Sequence, residues 1–113
     1  MTIIEKPTDR KILNAMMPNF FGDMVKAVID IERKVIGVDA ELHADIEQAL
    51  LAQGSSQYDL WGINLYPEMD GEDFIEFDSM INIRPGQGNR SCNVQDADTR
   101  QRIIDTVNYL LPC

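Results

Sequence analysis

The sequence predicts an α+β fold: a mainly antiparallel sheet with helices packed on one face, in the order α-ββ-α-βββ-α. Three observations carry this. Strand-like runs come in a pair and then a triplet, separated by single helical segments, which is the pattern of a sheet with appended helices rather than of βαβ units. The strand-like runs alternate apolar and polar residues, as strands with one covered and one wet face do. The helical segments repeat their apolar residues at three- and four-residue spacing.

The elements follow in order. Thr8 is placed to cap a short helix from Asp9 to about Met16, with Ile12, Leu13 and Met16 on one side, and Pro18 ends it. Met24 to Ile31 and Lys34 to Val38 read as a strand pair. Setting Ile29 opposite Ile36 and Ala27 opposite Val38 puts all four on one side, so parity supports a hairpin although Glu32-Arg33 is a weak turn. Asp39 is a good N-cap for a helix to about Gln53, striped by Leu42, Ile46, Ala49 and Leu50 and stopped by Gly54. Asp59 to Tyr66 is a strand, Phe74 to Arg84 the longest strand, and Ser91 to Val94 a short last one. Asp96 or Asp98 caps a final helix that buries Ile103, Ile104, Val107, Leu110 and Leu111.

The length of 113 residues suits one domain spanning 1–113, large enough to bury a core without a metal or disulfide. A hydrophobic fraction of 44% and a charged fraction of 26% are those of a globular chain. The formal net charge of −9 argues against nucleic acid and against an anionic membrane surface, both of which need a positive field. No apolar run reaches the length of a signal peptide core or a membrane span. The two cysteines, Cys92 and Cys113, form no framework, so a reducing compartment, the cytoplasm, is expected.

Parity then sorts the second group of strands. With Tyr66 opposite Phe74, the apolar side collects Leu65 with Ile75, Ile63 with Phe77 and Trp61 with Ser79. The other side pairs Asn64 with Glu76, Gly62 with Asp78 and Tyr58 with Asn82. If Ile83 faces Cys92, the last strand brings Ser91 and Asn93 to the same polar side, beside Arg84. This predicts an open polar face carrying Tyr58, Asn64, Tyr66, Glu76, Asp78, Asn82 and Arg84, joined by Lys26 and Asp30. A solvated sheet face would alternate in the same way. That is the commoner case for an antiparallel sheet; residue type lifts the reading of a site, because Asn and Asp are poor strand formers.

The loop from Arg84 to Arg90 sets two arginines around Gly86, Gly88 and Asn89. Such a loop can form an anion-binding nest, or can be an ordinary hairpin turn. It opens no helix, so it is neither a P-loop nor a dinucleotide fingerprint. His43, the lone histidine, lies four residues from Asp39 and from Glu47 on one helix face. A metal or acid–base role competes there with a surface ion pair. Zinc would want more His or Cys, and no metal or cofactor is expected.

Several segments carry a resemblance: VKAVIDIERK from Val25 to Lys34, ELHAD from Glu41 to Asp45, Gly54-Ser55, LWGIN from Leu60 to Asn64, IEFDSMINIRP from Ile75 to Pro85, and Gly88-Asn89. Together they resemble a small bacterial family catalogued as a domain of unknown function, DUF5674. The resemblance implies a stand-alone bacterial cytosolic domain and supplies no activity.

Two functional expectations result. The first is a binding or interaction module, a homodimer or a receptor for a small polar or anionic ligand, using the polar face: Tyr58, Asn64, Glu76, Asp78, Asn82, Arg84, Asn89 and Arg90. The second is a small metal-dependent hydrolase or phosphate-handling enzyme, with Glu76 and Asp78 as metal ligands or base and Arg84 and Arg90 on the anionic group. The second requires Asp78 and Arg84 to converge. His43 is expected to stand apart, because its helix should cover the opposite face.

Overall fold

In the computed structural model, which describes all 113 residues, β2 (Val25–Asp30) is paired along both edges. It bonds β3 (Val35–Val38) on one side and β4 (Leu60–Leu65) on the other, both antiparallel. β1 (Thr2–Ile4) and β5 (Ile75–Glu76) complete a five-stranded sheet in the order β1-β3-β2-β4-β5. The α+β antiparallel expectation holds. So does the hairpin register, with Ile29 opposite Ile36 and Ala27 opposite Val38. The weak turn signal has a side-chain explanation. Asp30 accepts the N–H groups of Glu32 and Arg33 at 3.0 and 2.8 Å, and Lys34 takes φ 55°. β1 was not expected; it is a three-residue edge strand on β3.

The placement of the helices corrects the one-face expectation. α3 (Ala97–Leu110) and the 3₁₀ turn Arg10–Ala15 cover one face, where Ile103, Val107, Leu110 and Leu13 close over Ala27, Ile29, Ile36, Val38 and Ile63. α2 (His43–Ala52) covers the other, setting Ile46 and Leu50 over Val28, Val35 and Leu60. The central strand is therefore buried on both sides, and of its six residues only Lys26 keeps partial exposure. The sequence hint lies in two glycines flanking Val28, one on each neighbouring strand: Gly37 and Gly62. A Cβ on Gly37 would lie 2.3 Å from Ile46 Cγ2, so the glycine lets α2 settle on the sheet. A Cβ on Gly62 would lie 2.5 Å from Ser79 Oγ, so this glycine admits a second covering segment.

That segment is the stretch expected to be the longest strand. Only its start pairs with β4, in the predicted register of Leu65 with Ile75 and Asn64 with Glu76. After Glu76 the chain leaves the ladder and crosses the α2 face. A single 3₁₀ turn, Met80–Asn82, is capped by Ser79, and Ile81 packs into the Val28–Ile46 core. A second turn, Pro85–Gln87, ends on Gly88 at φ 78°, and Arg84 bridges Asn89. Ser91–Val94 forms no strand, and the pairings of Ile83 with Cys92 and Ile81 with Val94 are absent. Asp, Ser and Asn at 78, 79 and 82 offer the backbone local side-chain partners that compete with a ladder.

The caps differ in detail. Asp9, not Thr8, caps the first turn, through Lys11 N at 2.9 Å. A short helix, α1 (Met17–Phe20), follows it. Asp39 caps nothing: at φ 70° it accepts from Asn19, and α2 begins only at His43. Gly54 ends α2 at φ 102°, and Asp96 caps α3 through Thr99 N at 2.9 Å, both as expected. No helix is long and apolar enough to cross a membrane.

Candidate functional site

The α2 face is not covered completely. Between the first turn of α2 and the Asp78–Ile81 segment a cleft of about 610 Å³ opens over the far end of β4. Its floor follows from the register. Lys26, Asn64 and Glu76 are successive partners across β2, β4 and β5, so their side chains stand in a row on one face. Asn64, only 5% exposed, donates from Nδ2 to Glu76 Oε1 at 2.8 Å and more weakly to the carbonyl of Asp78 at 3.3 Å. Tyr66 donates its hydroxyl to the same Glu76 oxygen at 3.0 Å. Met24, Leu42, Met80 and Ile81 supply apolar walls.

His43 enters this cleft from α2. Its Nε2 is 2.8 Å from the carbonyl of Ile63. A carbonyl only accepts, so Nε2 carries the proton. Burial pushes the imidazole below its ordinary pKa, and Lys26 pushes the same way, against the Ile63 carbonyl, Asn64 and Asp78. At neutral pH the ring is therefore uncharged, with a lone pair on Nδ1. Burial and the bond to Glu76 raise the Tyr66 hydroxyl, which stays a donor.

The amide of Asn64 is the critical group. Its nitrogen is committed to Glu76 and Asp78, so its orientation is fixed. Its oxygen lies beside the imidazole, is buried, and has no donor. A neutral ring and an amide oxygen both present lone pairs, and neither satisfies the other. The cleft thus carries an unmet acceptor beside two carboxylates, Glu76 and Asp78, with a single cation, Lys26, whose Nζ lies 4.8 Å from the Phe21 ring.

The residues expected on one polar face divide into two groups. Asn64, Glu76 and Asp78 line the cleft, joined by Lys26, His43 and Tyr66. Asn82, Arg84 and Asn89 are placed instead as internal fastenings at the Leu60 end of β4. Asn82 is fully buried and bonds both backbone groups of Gly62. Arg84 donates to the carbonyls of Gln57 and Leu60 and stacks on Trp61, its guanidinium carbon 4.2 Å from the ring centre. Asn89 is buried, with Nδ2 on the carbonyls of Asn82, Ser91 and Asn93 and Oδ1 accepting from Gln95 N. Tyr58 and Arg90 are exposed. Arg84 is at one end of β4 and Glu76 at the other, so the carboxylates and the arginine of the hydrolytic arrangement stand apart.

His43 reaches the cleft because α2 lies on the face thought open. Its expected neighbours do not join it: Asp39 turns to Asn19, and Glu47 is buried with Oε2 unpartnered. No three His, Cys, Asp or Glu side chains are grouped closely enough to hold a metal ion. The signal for His43 was available in the two glycines beside Val28, which mark that face as occupied.

A family model described as "Protein of unknown function (DUF5674)" matches residues 2–110. The chain belongs to that family. No curated protein and no solved structure matches it. The DUF5674 match takes in every residue of the cleft, from Met24 to Ile81.

Proposed function

We propose that this DUF5674 member is a binding module for a small polar ligand rich in hydrogen-bond donors, an amine or a polyol, held between His43, Asn64, Glu76 and Asp78. The observation that carries this reading is the buried oxygen of Asn64, fixed against a neutral imidazole with no donor to satisfy it. An unmet buried acceptor costs about 1–3 kcal/mol; this oxygen is closed to solvent, so a ligand N–H or O–H recovers that cost by displacing the side chains that cover it. The two carboxylates add acceptors and select against anions.

The test is an NMR titration of the uniformly labelled protein with ethanolamine, spermidine, glycerol and glucose. Binding at the cleft shifts the ring signals of His43 and the side-chain amide of Asn64, and Asn64→Leu abolishes the response. A panel that moves neither group defeats the proposal.

One further observation favours a second reading, a homodimer closing over the cleft. Leu42 and Met80 are 54% and 79% exposed on its rim, with Phe21 37% exposed beside Lys26. Exposed apolar groups around a polar centre fit a protein interface. Sedimentation would show a dimer that Met80→Glu dissociates; a monomer at high concentration ends this version.

A further inference from the structure

On the α3 side of the molecule a separate cavity of about 580 Å³ lies between the helix and the Gly71–Phe77 segment. Its floor is apolar, built from Phe74, Ile75, Phe77 and Ile104. Its polar edge carries two arginines, each laid on one of the floor's rings. The Arg10 guanidinium carbon is 4.0 Å from the centre of the Phe74 ring, and that of Arg100 is 5.6 Å from the centre of Phe77.

The unusual feature is what these arginines lack. The chain has 19 acidic and 10 basic residues, so a carboxylate partner should be easy to find. Yet the one salt bridge in the molecule is Arg102 with Glu32, elsewhere on α3. Arg10 and Arg100 are held by neutral oxygens: Arg10 by the Leu111 carbonyl at 2.8 Å and Asn108 Oδ1 at 3.2 Å, Arg100 by the Val94 carbonyl at 2.6 Å. Glu72 also lines the cavity but lies beyond ion-pair distance of either. Both cations are thus fixed in orientation without an ion-pair partner, over a floor that is mainly apolar. Ring stacking and carbonyl bonds lower the entropy cost of ordering them before a ligand arrives.

We infer that this cavity binds a small amphipathic carboxylate, an apolar body on the Phe74–Phe77–Ile104 floor and an anionic head between Arg10 and Arg100. Charge complementarity selects the head, because the cavity alone gathers two unpaired arginines in a protein of net charge −9. The apolar floor selects the body, and inorganic anions lack one. This site is independent of the His43 cleft, whose carboxylates disfavour anions.

The test is calorimetric titration with octanoate at low salt, with octylammonium, acetate and inorganic phosphate as comparators, and amide shifts to locate binding. The expected result is that octanoate binds and shifts Ile75, Phe77 and Ile104, while the comparators bind at least about tenfold more weakly, the penalty for losing either a charge-assisted contact or the apolar one. Arg100→Gln should weaken octanoate by a similar factor. Arg100 also bonds Val94, so Ile104→Glu serves as a second variant: it alters a half-exposed wall and should repel the carboxylate without disturbing the core. The inference is overturned if octanoate does not bind, if octylammonium or phosphate binds equally well, or if a folded Ile104→Glu protein binds octanoate as the native protein does.

Discussion

Asn82 holds Gly62 by both ends of its backbone: its Oδ1 accepts the Gly62 N–H at 2.8 Å and its Nδ2 donates to the Gly62 carbonyl at 2.9 Å. The side chain supplies what a further residue pair of the β4–β5 ladder would have supplied. β5 stops after Glu76, and Asn82, fully buried, satisfies the edge of β4 that β5 leaves bare. It also reaches the Cys92 carbonyl at 2.9 Å. Asn82→Ala strands a buried N–H and a buried carbonyl, and should cost about 3 kcal/mol by urea denaturation. A loss below about 1 kcal/mol would mean that water replaces the amide there.

Gly37 makes the matching prediction for α2. Ile46 is fully buried and its Cγ2 occupies the space where a Cβ would project. Gly37→Ala must therefore lift the helix or force Ile46 from its rotamer, at about 1–3 kcal/mol. Gly86 offers the control, since nothing lies within 4 Å of the position its Cβ would take. Thermal melts of both variants decide the point: only the first should fall.

These two relationships explain what could be read from the sequence. The hairpin, the α3 cap at Asp96 and the first pairs of β4 with β5 were legible because each rests on local chemistry or on parity. The 74–84 segment was not. Its alternation is genuine, but Asn82 uses a side chain where a strand would use its backbone, and alternation cannot distinguish the two. Alternation also could not show that Asn82, Arg84 and Asn89 bond the backbone, since a buried fastening and a ligand contact call for the same residue types. With only one face covered, His43 would stand apart from the polar residues. Gly37 and Gly62, flanking Val28, were the contrary signal: close approach of another element is a common reason for glycine within a strand.

Arg84 tests the division directly. It straps the segment to β4 through the carbonyls of Gln57 and Leu60 and lies against Trp61, the sole tryptophan. Arg84→Met keeps the stem over the indole and removes the donors. Unfolding followed by Trp61 fluorescence should lose about 1.5–3 kcal/mol, the range for bonds to a charged group. Arg84→Lys should lose nearly as much, because one ammonium cannot match the guanidinium fork. An Arg84→Met protein as stable as the native one would mean the strap is idle.

The lone histidine gives a pH dependence whose sign is fixed. Burial holds the folded pKa of His43 below its ordinary value of 6.5. The unfolded chain therefore binds the proton more readily than the folded one. The contribution of His43 is complete above pH 6.5 and is lost as the pH falls below it, by at most about 1.4 kcal/mol per pH unit until the folded pKa is reached. Denaturation at pH 7.5 and 5.5 should show this loss, and His43→Gln should reduce it. A native protein whose stability does not fall over that interval would place the imidazole in solvent.

Asn64 separates stability from binding. Its Nδ2 bond to Glu76 is replaceable, because Glu76 is exposed and Tyr66 still donates to the same oxygen. Its unmet oxygen, in contrast, is a standing cost in the free protein. Asn64→Leu removes both at once, so the two effects should nearly cancel and leave stability within about 1 kcal/mol of native. Binding of a donor-rich ligand should disappear entirely, since Leu offers it no acceptor. A residue kept for folding would behave in the opposite way, with a large loss of stability. Paired measurements of the melting temperature and of the ethanolamine and glycerol titrations distinguish the two, and an Asn64→Leu protein that melts far below the native one would assign Asn64 to the fold alone.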